Sequence, residues 1–169
     1  MSKPKFKKKI LSSFLIVLAL STTSAILAVW TNYKNSSFAY DAGNVWYPGN
    51  IVDVGGDAAL ISWYSSWGKV KTDGYSFDIG TKTIKQVDVS LRALASWSWA
   101  EFYAQVYYNG RLKGTSGWMM INVGDFEYRS VVVDITDTYA NPDNFVIYVY
   151  VAKTINDVWM DHIRVSVEY

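Results

Sequence analysis

Residues 86–94 read QVDVSLRAL, and residues 160–169 read MDHIRVSVEY. In the first stretch Val87, Val89, Leu91 and Ala93 alternate with Gln86, Asp88, Ser90 and Arg92. In the second, Ile163, Val165, Val167 and Tyr169 alternate with His162, Arg164, Ser166 and Glu168. A period of two sends the two sets to opposite sides of an extended chain. Each stretch therefore reads as a β-strand with one face on a core and one face toward solvent.

The same pattern recurs outward from these two. Phe102, Ala104 and Val106 alternate with Tyr103, Gln105 and Tyr107. Val131, Val133 and Ile135 alternate with Val132 and Asp134, and Tyr75, Phe77 and Ile79 with Ser76 and Asp78. Residues 145–152 are apolar on both faces, the mark of a central strand. Shorter strands are expected at 60–63, 69–71 and 118–123. Asn109-Gly110 lies between VYY and RLK, and a type I′ hairpin needs positive φ at both of those positions. Asp73-Gly74 carries the same signal. Asn141-Pro142-Asp143-Asn144 reads as a longer loop, since proline fixes φ and Asn and Asp side chains bond nearby backbone. Residues beyond 40 show no helical stripe. The expected fold is all-β, an antiparallel two-sheet β-sandwich of jelly-roll type.

An N-terminal hydrophobic segment precedes it. Lys3, Lys5, Lys7, Lys8 and Lys9 form a basic start, and residues 14–20 (FLIVLAL) are wholly apolar. Small residues at Thr23-Ser24-Ala25, and again at Ser37-Phe38-Ala39, offer cleavage points. Residues 10–30 as a helix would span about 31 Å, enough for a bilayer. A cleaved signal peptide, a retained anchor and pilin-type processing are the three readings. Lysines before such a segment hold the N-terminus in the cytoplasm and place the rest outside. Residues 1–30 are thus a signal or anchor, 31–55 a linker or extended segment, and 56–169 the sandwich. The expected location is extracellular or at the cell surface, with membrane contact only through residues 1–30.

Beyond residue 39 the chain has 10 Lys and Arg against 15 Asp and Glu, a net charge of −5. Without a basic cluster this disfavours nucleic acid as a partner. The chain has no cysteine, so disulfides and thiolate chemistry are excluded, and the core alone must hold the domain.

The order of elements and the closing run VWMDHIRVSVEY, over residues 56–169, resemble non-catalytic jelly-roll modules of exported proteins, carbohydrate-binding modules among them. That resemblance implies a non-enzymatic binding domain. The leader followed by SSFAYDAGNV also resembles TasA-type fibre subunits, which implies self-assembly into a homo-polymer, with residues 38–54 completing a neighbour's sheet.

Catalytic signatures are absent. The one histidine, His162, falls on the polar side of the last strand and reads as a surface residue. No G-x-S-x-G elbow and no H-E-x-x-H motif occurs. Asp88 and Glu101 could share one outer surface, either as the carboxylate pair a glycosidase requires or as exposed strand carboxylates that serve solubility. Strict alternation puts Asp161 on the side of Ile163 and Val165. A carboxylate there needs a partner: either a structural calcium shared with Asp134 or Asp137, or a neighbouring backbone N–H.

The chain has 8 Trp, 13 Tyr and 7 Phe, more rings than a core of this size requires. Sugar C–H faces stack on aromatic rings, and flanking amides and charges take the hydroxyls. Two places have this make-up. Tyr103, Gln105 and Tyr107 stand about 7 Å apart along one strand face, extended by Tyr148 and Tyr150 if their strand is adjacent. Trp97 and Trp99 form the second, joined by Trp63 and Trp67. The competing reading is that these rings serve cross-strand packing or self-association.

Overall fold

The computed structural model describes residues 28–52, 57–62, 64–153 and 156–169. Most of residues 1–30, the expected signal or anchor, together with Trp63 and residues 53–56, lie outside the described residues. The described residues form eleven strands: β1 (Lys34–Asn35), β2 (Phe38–Gly43), β3 (Ala59–Ile61), β4 (Trp67–Asp73), β5 (Lys82–Ala95), β6 (Ala100–Tyr108), β7 (Arg111–Thr115), β8 (Met119–Met120), β9 (Glu127–Ala140), β10 (Phe145–Lys153) and β11 (Val158–Glu168). All pair antiparallel in two sheets. The first sheet has the order β1-β11-β5-β9, with β3 also on β11. The second has the order β2-β4-β10-β6-β7, with β8 also on β6. The chain is a two-sheet antiparallel β-sandwich, as its alternation dictates.

The inward sets meet in the core. Val87, Val89 and Leu91 of β5 are buried with Val165, Val167 and Ile163 of β11. Phe102, Ala104 and Val106 of β6 are buried with Phe145, Ile147 and Val149 of β10. The strand apolar on both faces, β10, is central, flanked by β4 and β6. Asn109 and Gly110 have φ of 50° and 73°, as the β6–β7 hairpin requires. At 142–144 the chain makes a short 3-10 turn, with the Asn141 side chain accepting from the Asp143 N–H.

Three sequence expectations change. Asp73-Gly74 does not close a hairpin: Gly74 has φ of 73°, but β4 pairs with β2 and β10. Residues 75–79 form no strand, although Tyr75 and Phe77 still point inward and are buried. A period of two in solvent exposure does not by itself require a ladder partner. The expected strand at 118–123 shrinks to the two residues of β8.

Residues 31–52 belong to the sandwich. Thr31 N donates to Val167 O, β1 pairs with β11, and β2 pairs with β4 from Phe38–Asp73 to Gly43–Lys69. Val45 and Ile51 are buried in the core. Strand addition to a neighbour would need residues 38–54 to project from the body; here β2 completes its own sheet.

Candidate functional site

The outer face of the second sheet is a grid set by strand register. Tyr40 of β2 lies opposite Lys71, and Phe38 opposite Asp73. Lys71 and Lys69 of β4 lie opposite Tyr148 and Tyr150 of β10. Those tyrosines lie opposite Gln105 and Tyr103 of β6. Gln105 and Tyr107 lie opposite Thr115 and Leu112 of β7. The adjacency of β6 and β10 thus brings together all five residues expected there: Tyr103, Gln105, Tyr107, Tyr148 and Tyr150.

These rings are packed on one another. Tyr103 and Tyr150 stack with centroids 4.6 Å apart and planes 4° apart. Trp118 meets the Tyr103 ring edge-on at 4.5 Å, and Tyr107 meets Tyr148 edge-on at 5.1 Å. Gln105 Nε2 donates to Thr115 Oγ1 at 3.4 Å, and the Tyr107 hydroxyl donates to Gln105 Oε1 at 3.4 Å. The freer rings stand at the margins: Trp118 is 52% exposed, Trp67 47% and Tyr40 45%. Gly43 makes room for Trp67, because a Cβ at that position would stand 2.5 Å from the indole.

Sequence reasoning missed Lys69, Lys71, Tyr40 and Trp118. The alternation in WGKVKTD signals that Lys69 and Lys71 share a face, but only the β4–β10 pairing places them among tyrosines. Lys69 Nζ sits 4.2 Å from the Tyr148 centroid and 4.6 Å from that of Tyr150, a double cation–π contact. Burial works against its charge, but its hydrogen bond to Tyr150 and the nearby tyrosines outweigh that and raise its pKa. Lys71 Nζ lies 4.9 Å over Tyr40 and pairs with Asp73 Oδ2 at 3.0 Å.

The second expected location stands at an end of the sandwich. Trp97, 66% exposed, and Trp99 lie in the β5–β6 connection. Asp157 N donates to Ser96 Oγ, and Asn156 Nδ2 to Ser98 O, tying the loop to the start of β11.

On the opposite sheet, β11 carries a bulge between Met160 and His162. One extra residue shifts the phase. Asp161 therefore meets Arg92 of β5 instead of following Ile163 inward, and the two form an ion pair. Asp134 and Asp137 line a separate cleft of about 290 Å³ with Lys85, Gln86 and Glu168. Asp134 lies opposite Gln86, whereas Asp161 lies beside the His162–Arg92 pair. Among the described residues no group of three His, Cys, Asp or Glu is placed to hold a metal ion. His162 is 2% exposed and so is not the expected surface residue. The Tyr128 hydroxyl bonds its Nδ1 at 2.7 Å, and Arg164 covers the Tyr128 ring at 3.8 Å. Burial, then Arg164 and Arg92, lower the His162 pKa. The Tyr33 hydroxyl donates to Asp88 Oδ2 at 2.5 Å, closing this cluster from the β1 side. Asp88 and Glu101 do not share a surface: β5 and β6 belong to different sheets, and their outer faces point away from each other.

No family model matches the chain, and no curated protein matches it. Solved structures similar to it include the MgGH51 α-L-arabinofuranosidase bound to arabinose, at 12% identity and a TM-score of 0.48 over 79% of this chain and 24% of that one. This chain thus spans about a quarter of that enzyme. The C-terminal CBM6 of LamC, a laminarinase of Zobellia galactanivorans, matches at 10% identity and a TM-score of 0.44 over 80% of this chain and 98% of that module. An apo cyclase from Fischerella sp. matches at 12% identity and 0.45 over 86% and 91%. Carbohydrate-binding modules are thus among the folds this sandwich is similar to.

Proposed function

We propose that the protein is an exported, non-enzymatic module that binds polysaccharide or surface glycan on the outer face of the β2-β4-β10-β6-β7 sheet. One observation carries this reading: a continuous field of Tyr40, Tyr148, Tyr150, Tyr103, Tyr107 and Trp118 interleaved with Lys69, Lys71 and Gln105. Rings supply apolar contact for sugar C–H faces, and the interleaved donors and acceptors suit hydroxyls. Internal stacking holds the rings in place before ligand arrives, which reduces the ordering cost of binding. Self-assembly by strand addition has less support, because β2 already pairs with β4.

The test is pulldown and affinity electrophoresis against a panel of polysaccharides, with electron microscopy of the same sample. Retardation by at least one glycan, with no fibres on the grid, is expected. Fibres without retardation would replace this reading with the self-assembling one.

A further inference from the structure

We infer that the glycan recognised on this face is acidic: a polysaccharide carrying uronate carboxylates, with Lys69 as its charge-reading residue. This rests on the glycan-binding reading above and specifies its ligand.

The argument starts from what Lys69 touches. Its ammonium lies over the Tyr148 and Tyr150 rings. Among the described residues it forms no ion pair, whereas its strand neighbour Lys71 is paired with Asp73. In the row across the sheet, Lys69 faces Tyr150 and then Tyr103, with no acid between. The acids of this face stand at its margins: Asp73 at the end of β4, already paired, and Glu101 near the start of β6, opposite Ala152 and Met120. The face thus presents an uncompensated positive charge at its centre, although the domain as a whole is acidic.

The same ammonium limits what can stack there. It lies over the Tyr148 and Tyr150 rings, and Tyr103 stacks on Tyr150 from the neighbouring strand, so a neutral pyranose would have to displace the ammonium to stack on those rings. A sugar carrying a carboxylate instead meets it with a charge-assisted hydrogen bond. Its ring then rests on the freer aromatics at the margins, Trp118, Trp67 and Tyr40. Aromatic stacking and one ammonium without an acidic partner, beside a Lys71 already paired with Asp73, select for a charged sugar ring over a featureless polyanion.

The experiment uses the purified protein in affinity electrophoresis with polygalacturonate and alginate as uronate polymers, xylan and β-1,4-galactan as neutral ones, and dextran sulfate as a polyanion without uronate. Apparent affinity for a uronate polymer is expected to exceed that for the neutral ones by about tenfold and to fall with added salt. Lys69→Gln should remove that preference, and Lys69→Arg should keep it; thermal melting of both variants checks that they fold. Equal affinity for neutral and uronate polymers would overturn the inference while leaving the glycan-binding reading in place. So would uronate retention unchanged in Lys69→Gln, or dextran sulfate retention that matches uronate and ignores Lys69. Retention by no polymer would overturn the glycan-binding reading itself.

Discussion

Tyr103 and Tyr150 stack with near-parallel planes across the β6–β10 ladder, 4.6 Å between centroids. A pair in this geometry contributes about 1 kcal/mol beyond its burial, and Tyr103 also holds Trp118. The tyrosines at the centre of the face are therefore structural supports as well as candidate contacts. Tyr103→Ala together with Tyr107→Ala should abolish glycan retention and also lower the melting temperature measurably. A double variant that melts like the parent would show that the stacking adds nothing to stability.

Trp97 separates the two candidate locations. It stands in the β5–β6 connection, away from the register of the tyrosine grid. Trp97→Ala should leave both retention and stability nearly unchanged, the latter within about 0.5 kcal/mol for an exposed side chain. Loss of retention in that variant would move the binding site to the end of the sandwich.

The Arg92–Asp161 pair is partly buried, with Asp161 almost fully enclosed. Removing one member leaves the other charge uncompensated, and a cost of about 3 kcal/mol is expected for Arg92→Met or Asp161→Leu alone. The double variant should recover part of that loss. Denaturant unfolding of the four proteins measures the coupling, and strictly additive losses would show that the two charges do not depend on each other.

His162 gives the fold a pH dependence. Arg92 of β5, Arg164 and Asp161 of β11 and Tyr128 of β9 surround it. Its pKa is lowered in the folded state, first by burial and then by the two arginines. The unfolded chain therefore takes up the proton first, and stability present above pH 6.5, the ordinary histidine value, is lost as pH falls below it. Asp161 acts in the opposite sense at lower pH: burial raises its pKa against the pull of Arg92. Its contribution is present below 3.8 and lost as pH rises through the raised value. Melting temperature should thus decline from pH 7.5 to 5.5, and His162→Gln should flatten that decline. An identical slope in both proteins would assign the effect elsewhere.

Much of the architecture is legible in the sequence because alternation and burial coincide in β5, β6, β9, β10 and β11. The phase failed at Asp161 because a bulge adds a residue that no local composition announces. His162 and Ser166 looked exposed because covering them depends on Tyr128 and on Thr31, distant in the chain. The tyrosine grid was half legible. Tyr103, Gln105 and Tyr107 follow from one strand's period, whereas Lys69 joins them only through non-local pairing of β4 with β10 and of β10 with β6.

The most direct measurement compares the protein with its Trp67→Ala, Trp118→Ala double variant in gels containing the retarding polysaccharide. Both rings are exposed on the tyrosine face, so the variant should keep most of its stability. Loss of retardation with a largely preserved melting transition is the outcome expected if sugars lie on that face. Equal retardation of the two proteins would contradict it.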